Sequence, residues 1–259
     1  MSKLWGNGMG IYIFILGAIF GSFYLVIGTR LPLKENVLMG RSRCDHCKKN
    51  LQWYELIPIV SYVLQLGKCR NCKKSISPIH IIIELVTGIL FVIGYLYYGI
   101  TFEFGIYLTL ISVLILIFVS DFKYMIILDS TLIIGSILIL VLKLVAYGYN
   151  SFQNSIISGI GLFIIMYLIK IIGDKLFKRE SLGGGDIKLC FLIGATIGFR
   201  LGLIGLVFSA FLALPYAMAS VYFNKKNELP YGPFLIAATV IIYVFLDKFI
   251  NLLVFFSLT

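Results

Sequence analysis

The chain has 259 residues, of which 60% are hydrophobic and 13% charged, and its mean hydropathy is +0.99. A soluble domain has no core large enough to hide that much apolar surface, so the composition predicts an all-α, polytopic membrane helix bundle. The net charge of +10 does not point to nucleic acid, because the basic residues are scattered over short loops between apolar runs; anionic lipid is their expected counter-charge.

The first apolar run extends from Gly10 to about Ile27, close to the roughly 20 residues that a crossing needs. Its basic cluster follows it, the reverse of a secretory signal peptide, which predicts a retained anchor with its N-terminus outside. Gly17 and Gly21 form a small-xxx-small pair suited to close helix packing.

From Arg30 to about Pro78 the chain turns polar and strongly basic, with Lys34, Arg41, Arg43, Lys48, Lys49, Lys68, Arg70, Lys73 and Lys74 against Glu35, Asp45 and Glu55. The excess of positive charge predicts a cytoplasmic loop. Cys44-Asp45-His46-Cys47 and Cys69-Arg70-Asn71-Cys72 supply two CxxC pairs within it, the spacing of a tetrahedral Zn²⁺ site. A reducing cytosol argues against disulfides, and four thiolates would leave no open coordination position, so the predicted metal is structural. His46 and His80 are spare ligand candidates, His46 being read rather as a solvated neighbour, and the remaining cysteine, Cys190, is read as a small core residue. Between the pairs lies LQWYELIPIVSYVLQLG, too short and too interrupted by Pro58 to cross a bilayer. Two readings stay open: an amphipathic segment at the membrane interface with Trp53, Tyr54 and Tyr62 near the headgroups, or a short helix packed on the zinc module.

Seven more apolar runs follow, at about 79–99, 104–120, 130–147, 155–173, 187–199, 201–223 and 232–246, giving about eight transmembrane helices. Lys123, Lys170, Lys175, Lys178, Arg179, Lys225 and Lys226 then fall on cytoplasmic connections, whereas 100–103 and 148–154 contain no Lys or Arg. Arg200 and Lys248 fall near the outer side, and Lys143 lies within a span, its long stem able to snorkel outward. Glu84, one turn inside its span, is either functional or hydrogen-bonded within the bundle.

This topology brings Asp121, Asp129, Asp174 and Asp186 to the cytoplasmic side. Asp129, before a serine at the start of a run, is expected to cap a helix, and Asp174 is expected to pair with Lys170 and Lys178 at i, i+4 spacing. Asp186 ends the glycine run of Ser181–Lys188, SLGGGDIK, and taken alone could also be an N-cap. With Asp121 at the end of another apolar run, a second reading opens. Two carboxylates where water is scarce do not both ionise cheaply, so one keeps a proton while the other activates water, as in aspartic proteases. Paired carboxylates also suit an ion-coupled transporter, but that would place them at mid-membrane in repeated halves. A zinc-bearing assembly protein without catalysis would survive the loss of both aspartates.

The motifs also resemble, in order, those of the type IV prepilin peptidases, membrane aspartic proteases of the GxGD type. GSFYLVIGTRLP (Gly21 to Pro32) resembles the family's first-helix motif; RSRCDHC, LQWYELIPIVSY and GKCRNCKKSISP resemble its zinc loop; IELVTG resembles the following helix start. DFKYMIILD resembles the first aspartate region, GGGDIK the second, and LPYGPFL (Leu229 to Leu235) a late loop. The resemblance implies cleavage of the short basic leader of prepilin or pseudopilin precursors at the cytoplasmic face of the inner membrane. It puts the catalytic pair on Asp121 and Asp186, with Gly183 and Gly185 shaping the GxGD turn. Many members also N-methylate the new terminus with S-adenosylmethionine through the N-terminal region, which implies a division into 1–100 (first helices and zinc loop) and 101–259 (peptidase). Leu25 stands where the family usually has Asn, and Gly28 and Thr29 also depart from the commoner pattern.

Overall fold

The computed structural model describes residues 8–37, 42–44, 46–178, 180, 182–220, 222, 229–246 and 248–251. Arg41, Asp45, Arg179, Ser181, Lys225 and Lys226 lie outside the described residues. The described residues are helical, joined by turns and two isolated β-bridges. Among the described residues eight α-helices follow one another: α1 Met9–Arg30, α2 Val60–Leu64, α3 Ile79–Tyr98, α4 Phe102–Tyr124, α5 Asp129–Phe177, α6 Gly184–Ile197, α7 Phe199–Ala219 and α8 Gly232–Val244. Five of them, α1, α3, α4, α5 and α7, are long and apolar enough to cross a membrane. The chain falls into two compact units, Met1–Phe104 and Gly105–Thr259.

In the first unit α1 and α3 pack along a seam of small residues. A Cβ on Gly17 would lie 2.8 Å from the Gly88 Cα, and one on Gly21 would lie 2.9 Å from Thr87 Oγ1 and 3.0 Å from the Ile83 carbonyl. Only glycine lets the two backbones come this close, which gives the Gly17/Gly21 pair its physical role. The polar loop between these helices holds the short α2 and two six-residue turns, Cys44–Lys49 and Cys69–Lys74, of matching construction. In each the first cysteine's N–H and C=O close the turn: Cys44 N–H donates to Lys49 O and Lys48 N–H to Cys44 O, and Cys69, Lys74 and Lys73 repeat both bonds.

In the second unit α6 is the central element, with every residue from Leu192 to Ile197 buried. Its packing on α5 is again close: a Cβ on Gly194 would collide with the backbone of Ser158 and Gly159, and one on Gly159 would meet the Phe191 carbonyl at 2.8 Å. Helix α5, at 49 residues, is longer than any single crossing requires, and Gly148 interrupts it with φ 79 and ψ −176. The interruption folds the helix into two arms, since Lys143 Nζ and Ser155 Oγ, on opposite sides of it, are hydrogen-bonded at 3.2 Å. The polar connection expected over 148–154 is thus a single glycine hinge in the left-handed region that favours this residue. Helices α6 and α8 have 14 and 13 residues. At about 1.5 Å per residue they are roughly 20 Å long, shorter than the ~30 Å hydrocarbon core.

Candidate active site and thiolate centre

Asp121 lies in the last turn of α4 and is 6% exposed. The helix ends just beyond it, at Met125, whose φ of 54 takes the chain out of helical geometry. The backbone N–H of Gly232, at the start of α8, acts on the Asp121 carboxylate. Three rings, Phe122, Tyr216 and Phe234, with centroids 5.5 to 6.5 Å apart, hold the ends of α4, α7 and α8 together beside it. Tyr231, immediately before Gly232, shares a 2.6 Å hydrogen bond with Ser209 of α7.

Asp186 occupies the third position of α6 and is 9% exposed. Gly183 is the N-cap residue, in extended conformation, so the reading of Asp186 as an N-cap is not what the structure shows. The carboxylate instead sits over the first turn, where the positive end of the helix dipole favours negative charge. Its Oδ1 is buried and has no hydrogen-bond partner among the described residues, an arrangement expensive for a carboxylate with no task. Asp121 lies close enough for its charge to act on Asp186.

The glycines around this pair are not equivalent. A Cβ on Gly183 would lie 3.1 Å from Asp186 Oδ2, and one on Gly185 would lie 2.7 Å from Ile127 Cβ, whereas Gly184 faces open space. Gly185 is therefore sterically required, a side chain at Gly183 would press on the Asp186 carboxylate, and Gly184 is unconstrained. Gly232 is equally confined: its Cβ would meet Ile127 Cδ1 at 2.7 Å, Ile117 Cγ2 at 3.0 Å and Asp121 Oδ2 at 3.2 Å. Ile127, in the connection after α4, is thus the common neighbour of the Asp186 turn and the Gly232 turn.

In the first unit, the sulfurs of Cys44, Cys47, Cys69 and Cys72 all lie within 4.8 Å of one another. The Cys44–Cys72 and Cys47–Cys69 separations are 3.9 and 4.0 Å. Four ligands tetrahedrally placed about 2.3 Å from a Zn²⁺ ion would be about 3.8 Å apart, close to the two separations given, so the donor set is of a size to hold zinc. Backbone N–H groups also favour thiolates here. The Lys49 N–H brings the Cys47 thiol down to about 6, and those of Cys72 and Asn71 lower Cys69. Against the pull of the Lys74 N–H, burial and the surrounding cysteine sulfurs hold the proton on Cys72, raised to about 11.

Comparison with known proteins bears on both centres. Residues 15–98 match the family described as Bacterial Peptidase A24 N-terminal domain, and residues 108–218 match the Type IV leader peptidase family. The chain is 32% identical over 242 residues to the prepilin leader peptidase/N-methyltransferase of Bacillus subtilis, covering 92% of this chain and 95% of that one. The chain belongs to the type IV leader peptidase family. Proteins of the same name from Vibrio cholerae (32% over 248 residues, 88% of this chain and 94% of the relative) and Neisseria gonorrhoeae (26% over 261 residues, 90% of each) agree. No solved structure gives a significant match.

Within this leader peptidase the other acidic and basic residues take positions that differ from several sequence expectations. Asp129 is not an N-cap; that position belongs to Leu128, which has no capping side chain, and both Asp129 oxygens are 2.7 Å from Lys188 Nζ. The pair sits at the surface, with side-chain exposures of 51% and 59%. Lys143 does not snorkel to the surface. Its ammonium donates to the carbonyls of Ala195 and Thr196 at 2.8 and 2.6 Å, so it caps the C-terminal, negative end of α6. The two ends of α6 therefore carry complementary charges, Asp186 at the first turn and Lys143 at the last. Cys190 is fully buried, as expected of a core residue, and its thiol donates to the Asp186 carbonyl at 3.2 Å. Glu84 is hydrogen-bonded: its Oε2 accepts from the Ile59 N–H at 2.7 Å.

The residue that sequence reasoning missed is Gly232. The stretch LPYGPFL had marked its loop only as family-like. What identifies Gly232 as part of the site is a backbone donor and a lack of space for a Cβ, and neither is visible in a residue type.

Proposed function

We propose that this chain hydrolyses the leader peptide bond of prepilin or pseudopilin precursors, with Asp121 and Asp186 as the catalytic pair. The observation that carries the assignment is the convergence of two buried carboxylates from the end of α4 and the start of α6 on turns closed around Ile127. One carboxylate takes a proton from water as the water attacks the scissile carbonyl; the other, protonated, donates to the carbonyl oxygen. The roles exchange as the tetrahedral intermediate collapses and the amine leaves, so no covalent enzyme intermediate forms. The Gly232 N–H acts on Asp121 from one side, while the unpartnered Asp186 Oδ1 is free to engage water or substrate. Gly183 and Gly185 keep the turn narrow enough to present Asp186. Family membership displaces the ion-coupled transporter as a reading of these carboxylates.

The topology that accompanies this function has eight crossings: α1, α3, α4, the two arms of α5, α6, α7 and α8. With the N-terminus outside, the basic loop and both aspartates face the cytoplasm, on the inner membrane, where prepilin leaders are exposed. The two short helices α6 and α8 are largely shielded by protein, which relaxes the length that a crossing requires: ten of the 14 residues of α6 and nine of the 13 of α8 are buried. The basic loops carry the +10 charge toward anionic headgroups, which also hold a basic leader near the site.

The four cysteines would hold a structural Zn²⁺ that pins the two loop turns together and supplies no reactive position. Methylation of the new terminus with S-adenosylmethionine would fall to the first unit. Leu25, where the family usually has Asn, is buried in α1 and offers no polar group there, so peptidase activity without methyl transfer is the version of the function that this chain supports best. Co-expression with a tagged prepilin, followed by mass spectrometry of its new N-terminus, tests both activities at once. A trimmed but unmethylated terminus is the expected product; an intact leader would refute the peptidase assignment.

A further inference from the structure

The segment between the two cysteine turns carries an apolar surface that the function so far leaves unused. Trp53, Leu56, Val60, Val63, Leu64 and Leu66 are all exposed, with Trp53, Leu64 and Leu66 at 76, 71 and 84%. Single exposed hydrophobic residues need no explanation, but six within fourteen positions form a patch that does.

One hydrogen bond fixes where this patch sits. Glu84 is 7% exposed and its Oε2 accepts from the backbone N–H of Ile59 at 2.7 Å. Ile59 is held in the left-handed region, with φ 64 and ψ −54, a conformation unfavourable for a β-branched residue and therefore dependent on what holds it. Glu84 is the sixth residue of α3, which at 20 residues is about 30 Å long and matches the hydrocarbon core of a bilayer. Five residues of rise put Glu84 about 8 Å inside the end of that crossing, and the hydrogen bond keeps Ile59 at the same depth. An amphipathic element lying in the interface buries its apolar side roughly 5 to 10 Å into the headgroup and acyl boundary, which is the depth reached here.

The charges agree with that placement. Leu64 and Leu66 share one concave surface with Lys68, Arg70 and Lys73, and the Arg70 guanidinium lies 5.1 Å from the centre of the Tyr54 ring. Apolar side chains beside a basic rim suit acyl chains beside anionic headgroups. We infer that Trp53–Leu66 is a membrane-inserted wedge: its apolar side enters the acyl boundary of an anionic bilayer, anchored by Glu84, and seats the thiolate centre on the membrane surface. The wedge is not a crossing and forms no part of the catalytic pair.

The chain has two tryptophans, so Trp5→Phe leaves Trp53 as the only one. The full-length variant is placed in bilayer discs of phosphatidylcholine and phosphatidylglycerol, with ordinary or acyl-brominated phosphatidylcholine. Trp53 emission should lose most of its intensity to the brominated lipid and little to acrylamide in the water. Strong acrylamide quenching without lipid quenching would overturn the inference, because the patch would then face water. Protection from both quenchers would overturn it as well, by showing that protein, such as a second copy of the chain, covers the patch. Glu84→Leu should lift the wedge and reduce lipid quenching, whereas Glu84→Gln keeps an acceptor for Ile59 and should retain it. Undiminished quenching in Glu84→Leu would overturn the anchoring role of Glu84.

Discussion

Ile127 lies between the two glycine turns of the candidate site, and a pair of alanine substitutions separates the contacts it makes. In Gly185→Ala the new methyl would fall 2.7 Å from Ile127 Cβ, an atom fixed to the backbone, with Cγ1 and Cδ1 at 3.2 Å. In Gly232→Ala the closest atom, also at 2.7 Å, is Ile127 Cδ1, the far end of a side chain. Overpacking of this kind costs about 1 to 3 kcal/mol. If that cost falls on the geometry of the carboxylates, at about 1.4 kcal/mol per tenfold in rate it lowers cleavage about 5- to 150-fold. Ile127→Val, which deletes only Cδ1, should by itself cost about 0.5 to 1.5 kcal/mol. Added to Gly232→Ala it removes the worst collision and should restore much of the lost rate. Added to Gly185→Ala it leaves the Cβ in place and should restore little. The assay is the initial rate of leader removal from a purified prepilin by the five variants, each checked for yield and helicity in detergent. Equal rescue of both alanine variants, or of neither, would show that Ile127 does not couple the two turns in the way described.

Replacing Cys44 or Cys72 with Ser should release the bound metal, measured by elemental analysis of the purified protein, and should reduce peptidase activity less than any methyl transfer, because neither aspartate belongs to the thiolate centre. Lys143→Ala removes an ammonium that bonds two carbonyls of α6, each charge-assisted bond being worth about 1.5 to 3 kcal/mol; a lowered thermal midpoint is expected, with Lys143→Arg less affected. Asp129→Asn and Lys188→Met break a surface ion pair worth at most about 1 kcal/mol, so both should cleave prepilin at close to the wild-type rate.

What the sequence disclosed follows from the physics of its patterns. Runs of about 20 apolar residues specify helices because a bilayer demands internal hydrogen bonding, and they were legible from Met9–Arg30 through Phe199–Ala219. The CxxC spacing predicted that four thiols meet, and their sulfurs do lie together. Long-range pairings were another matter. The snorkelling expected of Lys143 follows from its own helix alone, whereas its partners, Ala195 and Thr196, are more than fifty positions away. Asp129 looked like a cap because Ser130 follows it, and nothing local signals that Lys188 reaches back to it. Composition marks Gly148 only as part of a charge-poor loop; its role as a hinge depends on a positive φ that composition does not encode. Gly232 shows the same limit most sharply, since its contribution is a backbone N–H and the absence of a side chain.

The central claim, that Asp121 and Asp186 form the catalytic pair, is tested most directly by Asp121→Asn and Asp186→Asn in the prepilin co-expression assay. Asparagine keeps the size and hydrogen-bonding reach of aspartate but cannot take a proton from water. Each variant should leave the prepilin leader intact by mass spectrometry while accumulating in the membrane at wild-type level, and Asp129→Asn and Asp174→Asn should still cleave. Cleavage at near wild-type rate by either the Asp121 or the Asp186 variant would contradict the assignment.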